Sequence, residues 1–92
     1  MMKYKIERTS KFKKDYKLIV KRRYDLKILE EVIRILANGE KLPPKYKDHS
    51  LTGNYIGMRE CHITPDWLLI YEIDNDTLYL YLTRTGTHSD LF

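Results

Sequence analysis

The 92-residue sequence contains few of the residues that build disulfide-rich, fibrous or membrane-spanning proteins. A single cysteine, Cys61, excludes an internal disulfide, and four glycines and three prolines are too few for a low-complexity chain. No apolar run approaches the roughly 20 residues of a transmembrane helix, and the first residues carry no apolar signal region. These absences predict a globular protein in a reducing, cytoplasmic setting with no membrane partner.

Length and charge narrow the function classes further. A chain of 92 residues has enough surface for one core, so we expect a single domain over residues 1–92. Seventeen Lys and Arg against thirteen Asp and Glu give a net charge of +4, with the excess concentrated before Tyr24. This asymmetry favours nucleic acid as a partner, then a membrane surface or an acidic protein, although a solvated helix face has the same composition.

Apolar periodicity in the first half predicts one strand and two helices. Residues 3–8 alternate as a short strand, and Ser10 is placed to cap the helix that follows. The helix predicted from Lys11 has one apolar face and one basic face. Asp25 is placed to cap a second helix, which Asn38-Gly39 ends. Because the connecting turn is short, the two helices should pack as a hairpin.

Strand-like runs make up most of the second half, after a loop that begins at Leu42. The runs lie near residues 56–63, 67–74 and 77–84 and are rich in aromatic and β-branched side chains. The short breaks between them require antiparallel neighbours. The predicted fold is α+β in the order β-α-α-β-β-β, with the helical hairpin packed on one face of a mainly antiparallel sheet and the other face partly open.

The histidines and their acidic neighbours are the candidates for chemistry. His49 precedes the predicted strands, His62 ends the first of them, and His88 follows the last. Asp66 and His62 flank one turn, while Glu60 shares the face of His62 because side chains alternate along a strand. These residue types can supply a general acid, a general base and an orienting carboxylate near neutral pH.

Cleavage of RNA fits such a set, because the 2′-hydroxyl is the nucleophile and the protein needs only an acid, a base and cations such as Arg84. Other interpretations stay open. Isolated histidines are more often surface or hydrogen-bonded polar residues, and Glu60, Asp66 and Arg84 could form ordinary ion pairs. A zinc site from the histidines and Asp66 is chemically possible but lacks the short ligand spacing of known motifs. Cys61 is predicted to be a core residue.

Four segments of the second half resemble the YafQ branch of the RelE/ParE toxins. In chain order they are YKDHSL (46–51), GMRECH (57–62), PDWLLIY (65–71) and RTGTHSDLF (84–92). The resemblance implies a RelE-like fold and a metal-independent, cofactor-free endoribonuclease. Such a toxin cuts mRNA in the ribosomal A site through a 2′,3′-cyclic phosphate, and a co-expressed antitoxin, DinJ-like or similar, silences it.

The resemblance also implies which residues form the site. Position by position, the functional residues of the branch match His49, His62, Asp66, Arg84, His88 and Phe92. In this hypothesis His49 or Asp66 is the base for the 2′-hydroxyl, and His88 protonates the 5′-oxygen. Arg84 and His62 steady the phosphate, and the terminal aromatic ring stacks on a base. A relative has Asp where this chain has Glu at position 60, which puts a direct catalytic role for that residue in doubt.

Cations outside this set form the predicted RNA-binding surface. They are Lys14, Lys17, Lys21, Lys47 and Arg59. They would dock the protein on ribosomal RNA and would also suit an acidic antitoxin segment. Two alternatives remain: a ParE-like toxin that inhibits DNA gyrase and needs no catalytic histidines, and a non-catalytic RNA-binding module built on the basic helix and exposed tyrosines.

Overall fold

The computed structural model describes residues 2–92, which form a five-stranded sheet with two long helices on one face. In chain order the elements are β1 (Lys5–Arg8), α1 (Ser10–Lys21), α2 (Leu26–Ala37), β2 (His49–Ser50), β3 (Arg59–Thr64), β4 (Trp67–Asp74), β5 (Tyr79–Gly86) and α3 (His88–Leu91). The strand order is β1-β5-β4-β3-β2, and every neighbouring pair is antiparallel except β1 with β5. The predicted α+β architecture is confirmed. Within residues 2–92, no helix has the length and apolar character to cross a membrane.

The ends of the two long helices follow from local hydrogen bonding. The Thr9 side chain accepts a hydrogen bond from a backbone N–H three residues on, so Thr9 caps α1 and the predicted cap at Ser10 is wrong. Asp25 caps α2 as predicted. That helix ends at Asn38, and the next residue, Gly39, has a φ of +77°, a conformation that glycine adopts without strain.

Of the three runs predicted in the second half, 67–74 matches β4, and the other two strands begin later than predicted. β3 begins at Arg59 because the chain turns at Gly57, where φ is +89°. β5 begins at Tyr79 because Leu78 lies in the preceding turn with a φ of +59°; although leucines at alternate positions of the run 77–84 predict that Leu78 faces the core with Leu80 and Leu82, it is exposed, and that prediction is wrong. The two-residue strand β2 and the four-residue helix α3 were not predicted, because neither is long enough to give a periodic pattern.

Alternate residues of β4 enter two separate apolar clusters. Leu69 and Tyr71 belong to the main core between the sheet and the long helices. Leu68 and Ile70 point the other way and pack with Leu91 of α3 in a smaller cluster. Five consecutive residues of β4 are therefore buried, and the sheet face away from the long helices is covered only in part. Cys61 is fully buried in the main core, as predicted, and burial raises the pKa of its thiol.

Candidate active site

The sheet face opposite the long helices brings polar side chains from three strands onto one surface. His49 on β2 pairs with Glu60 on β3. Glu60 pairs with Ile70 on β4, and Ile70 pairs with Arg84 on β5. Residues directly paired across strands project to the same face, and His62 shares it because it lies two positions beyond Glu60. The two histidines and the glutamate therefore lie together at one side of the sheet.

Glu60 is a buried carboxylate between two imidazoles. Its Oε1 atom lies 3.3 Å from Nε2 of His49 and 3.9 Å from Nε2 of His62, and the two ring centroids are 6.2 Å apart. Glu60 is only 5% exposed, and within residues 2–92 its Oε2 atom has no hydrogen-bond partner. Burial of an unpaired carboxylate oxygen is costly unless proton donors offset it. The nearer donor that this arrangement supplies is the Nε2–H group of His49.

Both ring nitrogens of His49 face acceptors. Nδ1 lies 2.7 Å from the carbonyl oxygen of Lys47, and Nε2 faces the Glu60 carboxylate. A neutral imidazole has one N–H, so only the doubly protonated ring donates to both partners. His62 has a different environment, with Nδ1 3.3 Å from the carbonyl oxygen of Pro65. When Nδ1 carries the proton of a neutral ring, the lone pair of Nε2 is available as a base.

Asp48, Arg59 and Tyr71 form a hydrogen-bonded group that anchors the segment carrying His49. The Asp48 carboxylate accepts hydrogen bonds from Nη2 and Nε of Arg59, at 3.0 and 3.1 Å, and from the hydroxyl of Tyr71. Burial, and then the bond to Asp48, raise the pKa of Tyr71, while the bond to Asp48 raises that of Arg59. Arg59, a predicted RNA-binding residue, thus forms an internal ion pair. Lys47, which is also a predicted RNA-binding residue, is exposed and lies one residue before Asp48.

A second group of predicted site residues lies at the C-terminus. His88 is the first residue of α3, and its ring centroid is 5.0 Å from that of Phe92. Phe92 is 57% exposed and meets Tyr55 edge to face at 5.7 Å. The terminal aromatic residue therefore does not fill the core and presents ring surface to solvent.

Asp90 holds this C-terminal helix in place. Its carboxylate and the Thr87 side chain form a reciprocal capping box, with Thr87 N–H donating to Asp90 at 2.8 Å. Arg22, just after α1, makes two hydrogen bonds to the same carboxylate at 2.6 and 3.1 Å and lowers the pKa of Asp90. A Cβ atom on Gly86 would lie 3.0 Å from Cβ of Asp90, so glycine permits the close approach. Sequence reasoning missed this anchor, although the pattern Thr-x-x-Asp is its signal.

Arg84 and Asp66 have environments unlike those of the histidines. Arg84 donates from Nε and Nη2 to the carboxylate of Asp15 on α1, at 2.7 and 3.0 Å, and this pairing raises the pKa of Arg84. The predicted phosphate-binding cation is thus held in a fixed orientation by a helix residue. Asp66 is exposed in the turn between β3 and β4. Within residues 2–92 its side chain forms no hydrogen bond to the histidines.

The predicted basic residues of α1 share one side of the helix. Lys14, Lys17 and Lys21 are all exposed. At 3.6 residues per turn they project away from Phe12 and Ile19, the two residues that α1 buries in the core. The helix therefore presents a row of cations to solvent, as the sequence predicts.

Two long helices on one sheet face, with polar side chains on the other, are features of the RelE-like class of α+β proteins. Residues 4–92 match the family model described as "Bacterial toxin of type II toxin-antitoxin system, YafQ". The chain belongs to this toxin family. It is 41% identical to the mRNA interferase toxin YafQ of Escherichia coli strain K12, over 100% of this chain and 99% of the relative.

Solved structures of relatives have the same fold. YafQ in the E. coli DinJ-YafQ toxin-antitoxin complex is 40% identical, with a TM-score of 0.89 over 99% of both chains. A metal-bound toxin from Helicobacter pylori is 48% identical, with a TM-score of 0.91 over 100% of both chains. This similarity over whole chains agrees with the strand order and helix positions described above.

The zinc ligands that the sequence suggests do not lie together within residues 2–92. Among residues 2–92, no three or more His, Cys, Asp and Glu side chains are arranged to hold a metal ion. The three histidines and Asp66 of the zinc alternative are divided between separate places, with His49 and His62 beside Glu60. The zinc alternative raised by the sequence would also need His88 and Asp66, which lie on α3 and in an exposed turn. We therefore derive no catalytic step through a metal.

Proposed function

We propose that this chain is an mRNA interferase that cuts mRNA on the ribosome with its own acid and base groups, without a metal. The observation that carries the proposal is the buried Glu60 carboxylate between His49 and His62 on a partly open sheet face. The curated E. coli relatives named mRNA interferase toxin YafQ support it. A toxin that acts on ribosomes would work in the cytoplasm.

In the proposed reaction, the 2′-hydroxyl oxygen bonds to phosphorus while the bond from phosphorus to the 5′-oxygen breaks. The products are a 2′,3′-cyclic phosphate and a free 5′-hydroxyl. His62 Nε2 is the base favoured by the geometry, because Nδ1 can donate to the Pro65 carbonyl. His49, which faces two acceptors, is suited to act as a cation beside the phosphate. The sequence predicts His49 or Asp66 as the base, and the assignment to Asp66 stays a prediction.

The acid in this mechanism is His88, on the opposite side of β4. His62 pairs with Leu68, and Leu68 pairs with Gly86, two residues before His88. Two strand spacings separate His62 from Gly86, or about 10 Å. In-line displacement needs the base and the acid on opposite sides of phosphorus, and a phosphate over β4 would have one imidazole on each side.

Phe92 and Arg84 complete the proposed site. The exposed ring of Phe92 can stack on a nucleobase, a contact worth about 1–3 kcal/mol per base. Arg84 lies on β5, the strand that leads into α3 and His88, and its pairing with Asp15 limits the reorganisation needed to meet a phosphate.

The first prediction tests the proposed reaction. Incubated with translating ribosomes, the protein should cut mRNA at one codon phase and leave 2′,3′-cyclic phosphate ends, with the same rate for protein stripped of metal by a chelator before mixing and for untreated protein. Mapping of mRNA ends with a ligation step that needs a 3′ phosphate would show the codon phase of the cuts and the phosphate at the new 3′ ends.

Three results would contradict it. Loss of cutting after chelation, restored by one added metal, would refute metal independence, and equal cutting of free RNA would refute the need for the ribosome. Intact mRNA together with arrested gyrase would support the ParE-like alternative.

The second prediction concerns the cations of α1. Reversal of Lys14, Lys17 and Lys21 to Glu should weaken ribosome binding by about tenfold or more and reduce its salt dependence, since fewer phosphate contacts release fewer counterions. Binding would be measured by co-sedimentation across a salt series. A matched control reverses Lys3, Lys5 and Lys41, which are also exposed but lie outside α1. Equal weakening in both triple variants would show a general charge effect and no docking role for α1.

We also propose an antitoxin as protein partner. The E. coli relatives have been solved in DinJ-YafQ complexes. An acidic antitoxin segment would be complementary to the net charge of +4 and the cationic row on α1.

A further inference from the structure

A cavity of about 370 Å³ shares His62 with the proposed catalytic cluster. Its walls come from α2, from the segment before β2 and from the end of β3. The residues that line it include Ile28, Lys45, Lys47, His62, Thr64 and Pro65. The volume falls in the range of small-ligand sites, about 300–1,000 Å³. None of the predicted catalytic residues other than His62 lines this cavity.

The lining has the chemistry that a nucleotide requires. Ile28 and Pro65 offer apolar surface to the flat face of a base. Lys45 and Lys47 are exposed and supply positive charge for the backbone phosphate. Thr64 is half-buried, and its hydroxyl can both donate and accept a hydrogen bond at a base edge.

The cavity lies directly beside the histidines of the proposed catalytic site. The His62 ring is part of the cavity wall, and its Nε2 also approaches Glu60. The Pro65 carbonyl, which orients that ring, belongs to another residue of the same wall. A phosphate at the histidines would therefore place a neighbouring nucleotide of the same strand at the cavity mouth.

The lining differs from that of another cavity of similar volume. The cavity lined by Ile6, Phe12, Ile33 and Leu82 has a similar volume of about 360 Å³. Its lining contains no lysine or histidine, and its charges are one arginine and one glutamate. It therefore lacks the excess positive charge that an RNA strand would need.

We propose that the cavity beside His62 binds the RNA nucleotide next to the scissile phosphate and so sets the base preference at that position. The inference rests on the proposed function, because it takes RNA to be the substrate of the histidine cluster. Ile28 and Pro65 hold the base, Lys45 and Lys47 hold its phosphate, and Thr64 reads its edge.

The test compares Ile28→Ala and Lys45→Gln with matched controls. Ile33→Ala changes a half-buried isoleucine of the same helix at the other cavity, and Lys5→Gln removes an exposed charge from β1 at the opposite edge of the sheet. The two cavity variants should lower kcat/KM on ribosomes by about tenfold, mainly through KM, and should flatten the base preference at one position beside the cut. The controls should keep wild-type values. Unchanged preference in both cavity variants would overturn the proposal.

A binding measurement separates this proposal from the proposed function. Titration of wild-type protein with each of the four ribonucleoside 5′-monophosphates should shift the NMR signals of the Ile28 methyl groups and the His62 ring, and Ile28→Ala should bind more weakly. Wild-type protein that cuts mRNA but shows no such shifts would refute the cavity as a nucleotide site. Wild-type protein that shows the shifts but leaves mRNA intact would refute the cleavage proposal and support the site.

Discussion

Replacement of Glu60 by Gln should reduce mRNA cleavage by about 100-fold or more while the protein stays folded. Glutamine has nearly the same volume, so the packing around this 5% exposed side chain should persist. The substitution removes the negative charge that faces Nε2 of both His49 and His62. Without it, the doubly protonated state of His49 loses one acceptor, and the proposed base loses its charged neighbour. Initial rates on translating ribosomes, with circular dichroism as the folding check, would measure the effect.

Glu72→Gln is the matched control, since Glu72 is a half-buried glutamate on β4. Its cleavage rate should be within about twofold of wild type. The pH profile of kcat/KM should change shape in Glu60→Gln and not in Glu72→Gln, because only Glu60 contacts the imidazoles. A folded Glu60→Gln protein with the wild-type rate and profile would show that the carboxylate has no part in catalysis.

The strand face on which Glu60 lies could be predicted from the sequence, but its pairing with His49 and its burial could not. Strand alternation correctly placed Glu60 and His62 on one face, because that rule depends only on spacing within one strand. The pairing of His49 with Glu60 depends on β2, a two-residue strand without a periodic signal. The burial of Glu60 follows from that pairing and could not be predicted from the residue type, since glutamates are usually exposed.

Arg84 and Arg59 also have partners that could not be predicted from the sequence. The resemblance made Arg84 a phosphate ligand, and general charge considerations made Arg59 an RNA contact. Their carboxylate partners, Asp15 and Asp48, lie 69 and 11 positions away in the chain, so only the folded structure reveals either pair. Ile28 was not predicted to belong to any site, because its place beside His62 depends on how α2 packs against β3.

The C-terminal helix was missed for a different reason. Four residues are too few for an amphipathic pattern, so His88-Ser89-Asp90-Leu91 gave no helical signal. The local signal was Thr87 followed three residues later by Asp90, which is the spacing of a capping box. Because α3 orients His88 and Phe92, the residue that holds this helix should matter as much as the groups that it presents.

Substitution of Asp90 by Ala should therefore reduce cleavage by about 10- to 100-fold, because misplacement of a reacting group by about 1 Å can cost as much as 100-fold. The change removes the hydrogen bond from Thr87 N–H to the carboxylate and both hydrogen bonds from Arg22, while the Thr87 side chain still accepts from the backbone N–H of residue 90. The loss of the bond from Thr87 N–H should lower the free energy of unfolding by about 0.5–1.5 kcal/mol. Thermal unfolding and cleavage on ribosomes would measure the two effects. Asp76→Ala, at an exposed position in the β4–β5 turn, is the control and should change neither.

The ion pair also predicts a dependence on pH. Arg22 lowers the pKa of Asp90 below its value of about 3.9 in an unfolded chain, so the stabilisation is complete above that value and is lost as the pH falls through the lower folded pKa. The stability difference between wild type and Asp90→Ala should thus be constant near neutral pH and shrink in strong acid. Arg22→Ala should have a smaller effect than Asp90→Ala, because it leaves the capping box intact. Equal losses in these two variants would show that the arginine, and not the cap, holds His88 in position.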